Sequence, residues 1–258
     1  MDRTNHLRRT LEAGRSAYGA RAATFSPAVV EVYGSLGLDW VWLDMEHAGP
    51  SPWDSHLLAD LTRAADVAGV ELVVRLPGED PHLIRKVLDA GVRTLLAPRV
   101  ETAAEVREAV AATRFRYDGG PGERGVAQGR VTQWGQDTDG YVEEEDENVT
   151  LGVMIENATA VENLDDILGV PDLGFVFVGP SDLSVSLGRP LEKDHPDVRG
   201  HVERIERAAL DADVPLAGIA NSPEAIRDAE ERGYQLLRIG GDLSSAQSVL
   251  GERLDAVR

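Results

Sequence analysis

Leu151-Gly-Val-Met-Ile-Glu156-Asn157 and Leu173-Gly-Phe-Val-Phe-Val-Gly-Pro-Ser-Asp182 are short, almost wholly apolar runs, and each ends in a carboxylate. A strand with one wet face alternates apolar and polar residues, whereas a strand covered by helices on both faces reads as a continuous apolar run. The two stretches therefore predict buried strands of a parallel sheet. An acid at the carboxyl end of such a strand stands where the interior gives way to solvent and ligands. Two acids on neighbouring strand ends can share one divalent cation. Carboxylate oxygens with positions left for water or substrate suit Mg²⁺ or Mn²⁺ better than zinc, which favours nitrogen and sulfur.

Outward from these runs, further strand-like segments occupy residues 20–25, 40–44, 71–76, 94–98, 215–220 and 235–239, alongside 150–156 and 174–178. Amphipathic stretches lie between them. Ser51-Pro52, Asp80-Pro81 and Ser222-Pro223 mark helix starts, and Gly69, Gly91 and Gly233 mark helix ends. Strand then helix, eight times over, predicts an α/β fold: a (β/α)₈ TIM barrel of eight parallel strands, one domain spanning residues 1–258. Right-handed crossovers bring every strand's carboxyl end to the same rim, so functional residues are sought at strand ends.

Composition narrows the function. The 258 residues include no cysteine, which removes disulfides, thiolate metal sites and cysteine nucleophiles together. A net charge of −19 offers no basic face for nucleic acid. Lysine occurs only at Lys86 and Lys193, so arginine supplies nearly all the positive charge, a balance that resembles a halophilic, salt-screened cytosol. No apolar run approaches a membrane span, and the residues after Met1 lack the apolar segment of a signal peptide; a cytoplasmic protein is expected, with no membrane partner. The acidic run at 137–147 reads as a solvated loop, because adjacent like charges fan outward. It lies in the longest interruption, 114–150, whose glycines, Arg124 and Arg130 leave two readings: part of it folds over the rim, or it is a surface excursion.

The richest strand end is Asp39-Trp-Val-Trp-Leu-Asp44-Met-Glu46-His47-Ala-Gly-Pro-Ser51. Alternation puts Asp44 and His47 on opposite faces unless the chain turns near Met45, which Ala48-Gly49-Pro50 favours. A carboxylate on one ring nitrogen would then orient His47 and prepare the other nitrogen to accept a proton. Arg75 ends the third run; as an unpaired buried guanidinium it needs an anion, either a structural salt bridge or a substrate oxyanion. Gly179-Pro180-Ser181-Asp182 joins a strand to a helix start, where free amides near Ser181 can hold a substrate carboxylate while Asp182 ligates the cation. The histidines His6, His56, His82, His195 and His201 fall in helices or loops and receive no role.

Asp44-Met-Glu46-His47-Ala, Val74-Arg75-Leu-Pro-Gly, Thr94-Leu-Leu-Ala-Pro, Arg124-Gly-Val, Ile155-Glu156 and Gly179-Pro-Ser-Asp182-Leu-Ser together resemble the class II pyruvate aldolases of the HpcH/HpaI type, in the family's order from about Phe25 to Asp242. The 26-residue step from Glu156 to Asp182 agrees with that family as well. The resemblance implies a barrel of the phosphoenolpyruvate/pyruvate superfamily that binds Mg²⁺, Mn²⁺ or Co²⁺ and assembles as a homo-hexamer with its last helix exchanged between subunits. It implies reversible cleavage of a 4-hydroxy-2-oxo acid to pyruvate and an aldehyde through a metal-bound enolate, with small molecules as the only partners. Carried over, Glu156 and Asp182 are the metal ligands, Arg75 stabilises the enolate oxygen, and Asp44 with His47 transfers protons. A metal route also suits a chain whose two lysines stand on a helix and in a loop, away from any strand end where a Schiff base would form.

Departures from the family pattern are Met154, where glutamine is frequent, and Arg99, where methionine is frequent; Arg99 is open to a distal substrate carboxylate or to a structural salt bridge. Asp242 matches a family position without a derivable role. Trp40, Trp42, Trp53 and Trp134 read as packing residues. Two alternatives stand beside the aldolase: a carboxy-lyase or acyl-CoA lyase of the same superfamily, and a non-catalytic metal-binding barrel.

Overall fold

Eight buried runs pair side by side with their chain directions aligned. In the computed structural model, which describes residues 4–258, they are β1 (Ala17–Arg21), β2 (Trp40–Asp44), β3 (Glu71–Arg75), β4 (Thr94–Ala97), β5 (Thr150–Ile155), β6 (Leu173–Val178), β7 (Leu216–Ile219) and β8 (Tyr234–Gly241). Every pairing between them is parallel, and the sheet closes in the order β1-β8-β7-β6-β5-β4-β3-β2. This is the expected (β/α)₈ barrel. The helices among the described residues are α1 (His6–Glu12), α2 (Pro27–Ser35), α3 (Ser55–Ala68), α4 (Pro81–Asp89), α5 (Ala103–Thr113), α6 (Tyr141–Asn148), α7 (Ala158–Glu162), α8 (Leu164–Leu168), α9 (Pro180–Ser186), α10 (Pro196–Asp211), α11 (Pro223–Glu231) and α12 (Asp242–Asp255). None is long and apolar enough to cross a membrane.

Side-chain hydrogen bonds set several helix starts. Asp80 and Ser222 accept from backbone amides one turn in, each followed by a proline at the first helical position. Thr102 and Glu105 form a reciprocal capping box on α5. The third helix starts later than Ser51-Pro52 suggests, because the Asp54 carboxylate accepts from Leu57 and becomes the cap.

The apolar residues divide into two cores. One lies between barrel and helices. The other fills the barrel with Trp40, Trp42, Val73, Leu96, Met154, Phe175, Phe177 and Leu236, and α1 closes its amino-terminal end with Leu7 and Leu11. Large rings are accommodated because neighbouring strands carry no side chain beside them: a Cβ on Gly19 would lie 2.2 Å from the Trp40 ring, and one on Gly152 2.3 Å from Phe175.

Three expectations are corrected. The first strand is not 20–25 but Ala17–Arg21; the chain leaves the sheet after Arg21, and Phe25 takes a positive φ of 51°. The acidic run is not a solvated loop. It forms α6, whose like charges are neutralised from outside the helix: Glu145 meets Arg124 at 2.5 Å, Asp146 accepts from the amides of Phe115 and Arg116, and Glu143 pairs with the Arg116 side chain. The interruption as a whole leaves α5 and enters β5 at the barrel's amino-terminal end, where Asn148 receives the amide of Asn5. It is thus a surface excursion away from the rim, and the rim-covering reading is set aside.

Arg124 and Glu145 have side chains 0% and 2% exposed, with the guanidinium 4.9 Å from the Phe115 ring. Replacing Glu145 with Ala strands that cation in the interior and should cost about 3–5 kcal/mol in denaturant unfolding. Replacing both partners with apolar residues should cost much less. A loss below about 1 kcal/mol for the single variant would show that water reaches the pair.

Candidate active site

At the carboxyl-terminal rim the inward-facing layer changes from aromatic to charged. Asp44 and Arg75 are register partners across the β2–β3 ladder, so their side chains leave the sheet side by side. The Asp44 carboxylate accepts from Nε and Nη2 of Arg75 at 3.0 and 2.7 Å, and Nη2 of Arg21 lies 3.2 Å away. On the other side, Nη1 of Arg75 meets Glu46 at 2.8 Å. Burial pushes the Asp44 carboxyl up, but hydrogen bonds and charge from Arg75, helped by the His47 amide and Arg21, hold it below the usual range. Asp44 is ionised and committed.

One reading of this cluster is decided and one expectation changes. Of the two anions open to Arg75, the structure shows the salt bridge: Asp44 and Glu46 fork it between them. His47 does not receive the Asp44 carboxylate on its ring, because Asp44 instead accepts from the backbone amides of Glu46 and His47, each at 3.2 Å, in the turn that ends β2. The ring, 61% exposed, faces Glu46 with Nε2 3.6 Å from the carboxylate. Glu46 is therefore the site residue that sequence reasoning left without a role. Its presence between Asp44 and His47 was the available signal.

Glu156 follows β5, and its side chain lies against Gly179 at the end of β6. A Cβ on residue 179 would sit 2.6 Å from the Glu156 Cβ and 2.9 Å from Oε2, so only glycine admits the carboxylate here. Oε1 accepts from the Arg99 amide at 2.8 Å, an amide aimed by the positive φ of 57° at Arg99. Arg99 thus serves through its backbone, while its side chain is exposed. Oε2 is buried and has no hydrogen-bond partner. Desolvation, with Asp182 and Glu46 adding negative charge, raises the Glu156 carboxyl from an ordinary 4.5 to about 7, against opposing pulls from the Arg99 amide and Arg75.

Asp182 stands in the first turn of α9, which starts at Pro180 and has no side-chain cap. Its carboxylate is thus left to face the cavity of about 570 Å³ that Asp44, His47, Arg75 and Ser181 also line. Lys193 lines this cavity too, although it is exposed. Asp242, previously without a role, accepts from the amides of Ala23 and Thr24 and from the Thr24 hydroxyl, pinning the loop after β1. Trp40 and Trp42 pack inside the barrel as expected, whereas Trp53 and Trp134 are exposed at 50% and 69%.

The donor set fits a hard divalent cation. A buried carboxylate oxygen without a partner, next to a second carboxylate, is stabilised by positive charge, and oxygen donors suit Mg²⁺ or Mn²⁺. Among the described residues no group of three or more His, Asp or Glu is arranged to hold a metal, so water or substrate would complete the coordination. A cation held by Glu156 would compete with its proton. Cation affinity measured by calorimetry should rise from pH 5.5 to about 7 and level off above, since the deprotonated form binds. Affinity that is flat across this interval would remove Glu156 from the binding equilibrium. Gly179→Ala should displace Glu156 and weaken the cation at least about tenfold, with the barrel's circular dichroism unchanged.

Comparison with known proteins places the chain among relatives along nearly its whole length. Residues 20–248 match the family model described as HpcH/HpaI aldolase/citrate lyase. A 2-keto-3-deoxy-L-rhamnonate aldolase from Klebsiella pneumoniae is 34% identical over 253 residues, 97% of this chain and 92% of its own. A crystal structure of an HpcH/HpaI aldolase/citrate lyase family protein from Burkholderia cenocepacia superposes with a TM-score of 0.91 at 35% identity, covering 99% of this chain and 100% of its own. The HpcH/HpaI aldolase of Desulfitobacterium hafniense gives 0.87 at 30% identity, over 97% and 96% of the two chains.

Proposed function

Because the chain belongs to the HpcH/HpaI aldolase/citrate lyase family, we propose that the barrel mouth is its active site, with Glu156 and Asp182 holding a divalent cation, Mg²⁺, Mn²⁺ or Co²⁺. The enzyme is a metal-dependent carbon–carbon lyase of the aldolase kind, reversibly cleaving a 4-hydroxy-2-oxo acid to pyruvate and an aldehyde. The observation that carries the site assignment is the buried, unpartnered Oε2 of Glu156 beside Asp182. When bound, the cation supplies a Lewis acid next to the 2-oxo group, an electron sink for the bond between C3 and C4.

The remaining work falls to side chains. Arg75, held rigid by Asp44 and Glu46, directs its guanidinium at negative charge developing on the 2-oxo oxygen. His47 takes the proton of the 4-hydroxyl group, directly or through a water, as C4 becomes the aldehyde carbon. Glu46, 3.6 Å from Nε2, orients the His47 ring. Asp44 acts by fixing Arg75. Ser181 and the neighbouring amides bind the substrate carboxylate.

The wider setting belongs to the same reading. The chain forms a single barrel domain, works in the cytoplasm and assembles as a homo-hexamer with α12 exchanged. Support for exchange comes from α12 itself, which has no buried residue; Leu243, Leu250 and Leu254, spaced to share one side, are all exposed. The net charge of −19 supports a salt-rich working medium in which surface repulsion is screened.

The test is pyruvate release from a panel of 4-hydroxy-2-oxo acids with Mg²⁺, Mn²⁺ or chelator, at low and molar KCl. Turnover should require the cation and persist in molar salt. His47→Ala should slow turnover about 10²- to 10⁴-fold with cation binding retained, whereas Glu156→Gln should weaken the cation itself. Metal-independent turnover, or equal cation loss in both variants, would overturn these roles.

A further inference from the structure

The turn that carries His47 has few hydrogen bonds of its own. The His47 amide donates to Asp44 at 3.2 Å, and beyond it, among the described residues, no hydrogen bond involves Ala48, Gly49 or Pro50. Bonding resumes at Ser51, which receives the amides of Trp53 and Asp54. Packing supplies what hydrogen bonds do not. The side chain of Phe25, 6% exposed, comes from the loop after β1 and lies against Gly49. A Cβ on residue 49 would sit 2.2 to 2.9 Å from three atoms of that ring, and the positive φ of 78° at Gly49 lets the bare backbone settle there.

Phe25 reaches this place through an uncommon conformation. Its φ of 51° lies in the left-handed region, rare for a bulky side chain. The bend is held from the residues before it: Asp242 accepts from the amides of Ala23 and Thr24 and from the Thr24 hydroxyl, the Phe25 amide donates to the Ala22 carbonyl at 3.2 Å, and the Ala22 amide donates to the Trp42 carbonyl at 3.0 Å. Strained backbone of this kind persists only where its surroundings over-determine it, and it clusters at functional sites. Asp242 opens α12 directly after β8, so the ends of β1, β2 and β8 converge on one turn. Neither Phe25 nor Asp242 lines the cavity shared by His47, Arg75 and Asp182, so any influence on the chemistry passes through another residue. Resting on the reading of His47 as the base, we infer that Phe25 is a positioning residue: its ring, seated on Gly49 and fixed by Asp242, sets where the His47 imidazole stands relative to the substrate hydroxyl.

The experiment compares Phe25→Ala, Phe25→Leu, Gly49→Ala and His47→Ala in the cation-loaded enzyme, by pyruvate release from the best 4-hydroxy-2-oxo acid of the panel above. In Phe25→Ala kcat should fall about 10- to 100-fold, the size expected when a reacting group is misplaced by about 1 Å, while KM and calorimetric cation affinity stay at their wild-type values. Phe25→Leu, which keeps an apolar body against Gly49, should recover most of the loss. Because Phe25 acts through His47, Phe25→Ala should cost nothing further in a His47→Ala background. A residue that merely stabilised the fold would disturb KM and cation affinity as well and would add its loss to that of His47→Ala. Gly49 is exposed, so Gly49→Ala tests the same contact without emptying the core, and its kcat should also fall about tenfold or more; it decides the matter if circular dichroism shows Phe25→Ala unfolded. Full kcat in folded Phe25→Ala or in Gly49→Ala, or losses that add to that of His47→Ala, overturns the proposal. Ring position is read without turnover from the imidazole NMR signals of the six histidines, the His47 signal being the one missing in His47→Ala. In Phe25→Ala that signal should shift or broaden and the other five should not. A His47 signal moved by Phe25→Ala, in an enzyme whose His47→Ala variant cleaves at the wild-type rate, would retain the positioning and overturn the base role. A slow His47→Ala variant, with the His47 signal unmoved in Phe25→Ala, would do the reverse.

Discussion

A barrel closed by eight parallel strands forces the last inward-facing side chains into a confined mouth, and there every charge must find an opposite charge or remain costly. The Asp44–Arg75 pair is the fixed point of that arrangement. Ladder register places the two Cα positions opposite each other, the bidentate hydrogen bonds follow from that, and Glu46 and Arg21 are then held by what the pair leaves exposed. Two ends stay open. Oε2 of Glu156 on the β5–β6 side and Nε of Arg238 on the β8 side are buried without hydrogen-bond partners.

The two ends of the barrel separate stability from chemistry. At the amino-terminal end α1 plugs the interior with Leu7 and Leu11, Asn5 bonds Thr94 and Asn148, and the Arg124–Glu145 pair locks α6 beneath the sheet. At the carboxyl-terminal end the polar groups are held by backbone geometry: the Arg99 amide for Glu156, the turn amides for Asp44, and a glycine at 179 that makes room. Catalytic chemistry on such a frame can change by exchanging side chains at strand ends while the core below stays intact.

Most of the architecture was legible from local pattern. Continuous apolar runs marked all eight strands, six of them closely, because burial on two faces leaves no other composition available. Strand ends likewise pointed to Asp44, Arg75, Glu156 and Asp182. The first strand slipped by several residues since small residues such as Ala20, Ala22 and Ala23 carry little strand signal, while what holds the true register is Gly19 making room for Trp40 on the next strand. The run Glu143-Glu144-Glu145-Asp146-Glu147 was misread for a related reason: its like charges repel in isolation, and the cations that pay for a helix there, Arg116 and Arg124, lie some twenty to thirty residues earlier.

By itself the chain's order of residues determined the barrel, the rim and the kinds of groups placed on it, because apolar periodicity and the parallel crossover rule act over a few neighbouring positions. Tertiary structure alone decided who pairs with whom. Asp44 takes Arg75 and not the His47 ring, Glu46 enters the cluster, and the Arg99 backbone holds Glu156. Partner choice depends on distances of a few ångströms between strand ends brought together by closure, and electrostatic attraction in a low-dielectric mouth rewards those distances rather than separation along the chain.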